Sequence, residues 1–157
     1  MRKYLALFVV VVLALASAAI AADLRSNIMQ NYVIGPDTSV SNNDNTTGEI
    51  IDKLGYESVT YIIQSGTLAD SDVTLTPVLQ ECAVDNCSDA AATAAGNLIG
   101  TIAGATFAAT DDNTVKSIGY SGSKRYTRLI ITPAANTGAA RFNAIAILGH
   151  PKTGATQ

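Results

Sequence analysis

The chain has 157 residues, 48% of them hydrophobic, with 10 Lys and Arg against 13 Asp and Glu for a net charge of −3. That balance excludes a nucleic-acid binder built on a clustered basic face, which such a protein needs to displace counterions from phosphates. Its length allows one domain with a real core and leaves no room for two.

Residues 1–22, MRKYLALFVVVVLALASAAIAA, have the three parts of a secretory signal: Arg2 and Lys3, an apolar run over residues 5–15, and a small-x-small site at Ala19-Ile20-Ala21. Cleavage is expected before Ala22 or one residue later. The competing reading is a retained membrane anchor, since the apolar stretch approaches spanning length. Alanines fill its last third and no basic stop-transfer cluster follows, which favours the cleaved signal. Residues 23–157 are then the mature domain, ending in a short flexible tail.

The mature chain reads as all-β. Short strands are expected near residues 32–34, 49–53, 98–101 and 106–108, with a polar, turn-prone loop over residues 36–47. Residues 56–64, YESVTYIIQ, set Val59, Tyr61 and Ile63 against Ser58, Thr60 and Ile62, the period of a strand with one buried face. Val73, Leu75, Pro77 and Leu79 line one face of the next strand, and Pro77, which cannot donate to a ladder, predicts an edge or a bulge. Residues 88–96 are alanine-rich and predict one or two helical turns capped by Ser88. Strands follow at residues 114–120, 125–132 and 141–149. Ser121-Gly122-Ser123 predicts a hairpin after Tyr120, and residues 134–138 a further turn. About eight strands and no fixed repeat suit a β-sandwich or jelly roll.

Cys82 and Cys87 enclose AVDN, a turn-like segment, and export would carry them into an oxidising compartment. A disulfide is expected there; a metal or redox pair lacks the C-x-x-C spacing and a nearby histidine. His150 is the sole histidine, with no nucleophile or carboxylate beside it in sequence to form a catalytic pair. No G-x-S-x-G elbow, P-loop or dinucleotide fingerprint is present. No catalytic residue and no cofactor is therefore assigned. Asp70 and Asp72, and Asp111, Asp112 and Asn113, are oxygen donors of the kind calcium takes in extracellular β-domains. Turns use the same residues for local hydrogen bonds, and no metal site is assigned to them. The basic run Lys124-Arg125-x-x-Arg128 reads as a solvated strand end, its two arginines 125 and 128 on opposite faces. Asn45-Thr46-Thr47 and Asn86-Cys87-Ser88 match glycosylation sequons, relevant only under eukaryotic-type secretion.

From Asp23 onward the chain resembles a family of small tailed-bacteriophage and prophage proteins assigned to the virion as head decoration or auxiliary structural proteins. The residues that carry the resemblance begin with Asp23-Leu24-Arg25-Ser26-Asn27-Ile28, Leu54-Gly55-Tyr56-Glu57-Ser58-Val59 and Ile63-Gln64-Ser65-Gly66-Thr67. They continue through Thr76-Pro77-Val78-Leu79-Gln80-Glu81, Leu98-Ile99-Gly100-Thr101 and the stretch over residues 110–120. Lys124-Arg125-Tyr126, Arg128-Leu129 and Ala146-Ile147-Leu148-Gly149-His150-Pro151 complete it. Two departures agree with each other: such head proteins resemble this chain without its first 22 residues, and with polar residues where Cys82 and Cys87 stand.

The resemblance implies a structural or assembly protein without chemistry, here in exported form, with capsid or other assembly subunits or its own copies as partners. Nucleic acid is not expected as a partner, and membrane only through an uncleaved signal. The alternative is a secreted or cell-surface binding module that recognises glycans or a cell surface. Glycan platforms need exposed aromatics, whereas Tyr32, Tyr56, Tyr61, Tyr120 and Tyr126 fall mostly on strand patterns and are expected in the core. An enzyme is the weakest class, because no acid, base and nucleophile arrangement can be named.

Overall fold

Apolar and polar residues alternate along most of the chain after residue 28, and in a computed structural model, which describes residues 24–152, that alternation becomes two antiparallel sheets packed face to face. The strands are β1 (Met29–Ile34), β2 (Ser39–Val40), β3 (Thr46–Asp52), β4 (Tyr56–Leu68), β5 (Thr74–Cys82) and β6 (Ala91–Ala92). They continue with β7 (Leu98–Ile99), β8 (Phe107–Ala108), β9 (Val115–Tyr120), β10 (Tyr126–Ala134) and β11 (Ala140–Pro151). The first sheet runs β1-β11-β4-β9-β7, with β2 also on β11; the second runs β3-β10-β5-β6, with β8 also on β5. The fold is thus a β-sandwich with jelly-roll-like connectivity. The expected signal and cleavage residues Ala19, Ala21 and Ala22, and the tail over residues 153–157, lie outside the described residues.

The core forms where inward positions of the two sheets meet. Val59, Tyr61 and Ile63 of β4, Ile118 and Tyr120 of β9, and Leu148 of β11 face Leu75 and Leu79 of β5 and Leu129 and Ile131 of β10, all at most 2% exposed. Each such aliphatic side chain contributes about 1.5–3 kcal/mol by leaving water. Small residues stand beside large ones: Ala146 is opposite Tyr61 and Ala144 opposite Ile63, which lets the larger side chains pack without strain. The Tyr61 hydroxyl crosses the core to the Thr127 hydroxyl at 2.7 Å, so both buried polar groups are satisfied by one bond between the sheets. At Gly48 a Cβ would stand 2.6 Å from Val33 Cγ1, so glycine lets β3 pass close to β1.

Four sequence expectations need correction. Ser121-Gly122-Ser123 is not a hairpin: β9 belongs to the first sheet and β10 to the second, so the turn carries the chain between sheets. It is held by Lys53, distant in sequence, whose Nζ donates to the Gly122 carbonyl at 2.5 Å, and across the turn by the Lys124 amide, which donates to the Tyr120 hydroxyl at 3.0 Å. Residues 88–96 do not form the predicted helix. Ala91–Ala92 pairs with Gln80 and Glu81 of β5, and only Ala95–Asn97 makes a 3-10 turn. Helix propensity over so few residues is too weak to resist ladder pairing. Tyr32 is not core but 59% exposed, being on the outward face of edge strand β1. Tyr126 is only half-buried.

Pro77 meets Ile131 of β10 on one side. On the other it falls between β8, which covers Thr74 and Leu75, and β6, which covers Gln80 and Glu81, so the edge is open where a donor is missing.

Candidate interaction face

The residues singled out for chemistry are each engaged locally. Cys82 and Cys87 form a disulfide with 5.1 Å between Cα atoms, and Cys87 sits in the left-handed region at φ 50°. The Asp89 carboxylate accepts from the Ala83 and Val84 amides across the same loop, and these donors hold it below the usual carboxylate range. A Cys82→Ser/Cys87→Ser chain is expected to lose about 2 kcal/mol of stability, because so short a loop restricts the unfolded state little. Urea unfolding checks this, and a loss above about 4 kcal/mol would mean that the bridge supports the fold itself.

The oxygen donors considered for calcium serve turns. Asp70 accepts from the Thr137 amide and hydroxyl, each at 2.7 Å, and from the Asp72 amide. Its carboxyl is held well below the ordinary range, chiefly by the hydrogen bond shared with the Asp72 carboxyl and then by Thr137; Asp72 is correspondingly raised. Asp111 is paired with Lys116 at 2.7 Å and accepts from the Ala108 amide; the Lys116 bond is the main cause of its lowered carboxyl. Asp112 accepts from the Leu68 amide, and Asn113 occupies φ 53°. Among the described residues no group of three or more His, Cys, Asp or Glu is placed to hold a metal ion.

His150 is exposed, at φ 55°, and its Nδ1 lies 2.8 Å from Ser58 Oγ. A general base of this type needs a partner on its other ring nitrogen to orient it. No hydrogen bond between a carboxylate and His150 accompanies the Ser58 contact among the described residues. Arg125 is fork-bonded to Asp52 and Arg128 donates to Gln80 Oε1, so both arginines of the basic run are engaged with neighbouring strands.

What remains distinctive is a surface. On the outward side of the first sheet, cross-strand register places Tyr32, Ile145, Ile62 and Ser117 in one row. Gln30, Ile147, Thr60, Gly119 and Ile99 form the next, with Asn143, Gln64 and Val115 on the other side. These rows contain no Asp, Glu, Lys or Arg. Of the seven exposed large hydrophobics among the described residues, four are here: Tyr32, Ile99, Val115 and Ile145. An antiparallel sheet normally turns a polar face to water. The outward face of the second sheet is closer to that norm, with Thr47, Thr74, Thr76, Thr132, Arg128 and Gln80 around Ile130 and Val78.

Sequence reasoning did not identify this face. Its signal was present in Tyr61-Ile62-Ile63 and in Ala144-Ile145-Ala146-Ile147-Leu148, where apolar residues occupy both phases of a strand. That the runs are neighbours, with Tyr32 and Val115 beside them, becomes visible only with the register.

No protein family and no curated protein matches the chain. Among solved structures it is similar to the PBSX exported protein XepA, with a TM-score of 0.52 and 16% identity, covering 82% of this chain and 39% of that one. It is also similar to the SPBc2 prophage-derived protein YomS, with a TM-score of 0.43 and 11% identity over 79% of this chain and 94% of that one. A third similar structure, from infectious bursal disease virus Gx strain, has a TM-score of 0.46 and 12% identity over 80% of this chain and 32% of that one. The chain spans less than half the length of XepA. No helix among the described residues is long and apolar enough to cross a membrane. The similarity to XepA is one of fold: the chain shares its sandwich architecture.

Proposed function

We propose that the chain is a non-enzymatic, phage-like structural or assembly protein of capsid decoration or auxiliary type, carried in an exported form. The observation that carries this reading is the outward face of the first sheet, where an antiparallel sandwich displays uncharged, half-apolar rows across five strands. Faces of that kind mark protein contact sites. The carboxylates considered above, the two cysteines and the histidine are engaged in turns, a disulfide and a strand-end contact, as in a protein that acts by packing. The fold shared with the exported protein XepA and the signal-like sequence of residues 1–22 support the same reading.

The test is intact mass of the protein from its producing culture, fractionated into particles, membranes and medium, before and after reduction and alkylation. A chain starting at Ala22 or Asp23, two hydrogens lighter than its reduced form and outside virions, supports an exported role. A full-length reduced chain inside purified particles overturns export and leaves an ordinary virion protein. A second reading, a secreted binding module for glycans or a cell surface, is favoured by Tyr32, whose exposed ring could serve as a stacking platform. Glycan-array binding lost in Tyr32→Ala would select it.

A further inference from the structure

We infer that the uncharged face of the first sheet is a self-pairing surface, on which a second copy of this chain seats by two-fold, sheet-on-sheet packing. This rests on the assembly reading above and names its partner and its surface. Three observations converge on a copy of the chain.

The first is charge. With 13 acidic residues against 10 basic, the chain carries net negative charge, so two copies repel on approach. The rows from Asn143, Gln64 and Val115 to Gly149 and Ser58 hold no charged side chain; Arg141 stands beyond them, next to Gly66. Two copies meeting there bury no ion and bring no like charges into contact. An acidic or basic partner would find nothing complementary on this face.

The second is symmetry. β4 is the middle strand of β1-β11-β4-β9-β7. A two-fold axis along β4 sets Ile62 against Ile62 of the second copy and lays each β1 edge over the β7 edge, where Ile99 comes opposite Gln30, one row from Tyr32. Both edges carry their side chains well out of the sheet, Tyr32 at 59% exposure and Ile99 at 58%. Apolar side chains therefore meet directly at the centre, and at each margin Ile99 lies one row from Tyr32, in a self-complementary arrangement of the isologous type.

The third is size. Four inter-strand spacings and the six residue steps from Ser58 to Gln64 give a footprint of roughly 400 Å². Two copies then bury on the order of 800 Å² in total, below the range of stable specific interfaces and in that of weak, transient ones. Pairing is expected to be reversible, with Kd on the order of 10–100 µM. Added salt is expected to tighten it, because screening removes the net repulsion while the contact itself holds no ion pair.

Sedimentation of the protein recovered from producing cells, from about 10 µM to about 1 mM, is the test. The expected result is a concentration-dependent dimer that tightens with sodium chloride, weakened at least about tenfold by Ile145→Lys and by Val115→Lys on the opposite half of the face. Thr132→Lys on the outward face of the second sheet is expected to leave it unchanged. Val115 is 61% exposed, so its variant keeps the test open if Ile145→Lys disturbs folding. Thermal melts of each variant establish that it is folded. A monomer throughout the range overturns the inference, and so does a dimer that survives both lysines in folded protein. Fractionation of the producing culture reads the parent proposal separately. Monomeric protein that still copurifies with assembled particles overturns the pairing alone, and a dimer found with no assembly overturns the structural role alone.

Discussion

Gly122→Ala is expected to lower the unfolding free energy by about 3 kcal/mol, the upper part of the range for overpacking a filled site. The added Cβ would stand 2.5 Å from both Cζ and Oη of Tyr120 and 2.6 Å from Cε2, against a ring that is fully buried. Tyr120 cannot swing aside cheaply. Its hydroxyl accepts from the Lys124 amide at 3.0 Å, and Lys53 Nζ lies 5.1 Å from the ring centre. Moving the Gly122 backbone instead would stretch its carbonyl away from Lys53, which is 8% exposed and needs that acceptor. Urea unfolding of the variant, beside Gly96→Ala as a control at a glycine with open space around it, isolates the steric effect. A loss below about 1 kcal/mol would mean that the turn relaxes freely and does not depend on the Tyr120 ring.

The same turn shows what could be read from the sequence and what could not. Strands β4, β10 and β11 were legible because their alternation is strong, and the sandwich class followed from counting such runs between turn residues. The destination of each strand was not legible. Ser121-Gly122-Ser123 has the composition of a hairpin turn, yet it carries the chain to the other sheet. The decision lies with Tyr120 filling the space beneath it and with Lys53, which is 69 residues away in sequence. Local turn chemistry says that a chain reverses, and only tertiary packing says which sheet it joins. Residues 88–96 failed for a related reason: a weak helical preference lost to pairing with Gln80 and Glu81. Residue types for a site were equally visible and equally incomplete. Asp70 and Asp111 could be seen as oxygen donors, but not that Thr137 and Lys116 would engage them. The candidate face needed long-range register, because Tyr32, Ile62, Ile145 and Val115 come from four separate strands.

Above pH 10 the protein is expected to lose stability at about 2–3 kcal/mol per pH unit, through two buried tyrosines acting together. Tyr61 and Tyr120 are fully buried, and burial is the main cause that raises both phenols, Tyr120 to about 12 and Tyr61 further still. For Tyr120 a hydrogen bond with Glu81 adds to the rise, and for Tyr61 the Thr127 bond opposes it. The unfolded chain releases these protons near pH 10 while the folded protein keeps them. Their contribution is therefore complete below pH 10 and declines as pH rises toward and through 12, at about 1.4 kcal/mol per unit for each group. Lys53 acts in the opposite direction and in a lower window. Burial, and then the charge of Lys152, lowers its ammonium, so between that lowered value and the ordinary lysine range the unfolded chain holds the extra proton and stability rises slightly. The profile is thus expected to be level or gently rising below pH 10 and steep above it. Urea unfolding at half-unit steps from pH 8 to 11.5 gives the slope, and ultraviolet absorbance at each step reports phenolate formation. Tyr61→Phe is expected to halve the slope while costing about 1–2 kcal/mol at neutral pH, because the Thr127 hydroxyl loses its partner in the core. An unchanged slope in that variant would show that Tyr61 does not titrate with unfolding and that alkaline loss begins elsewhere in the chain.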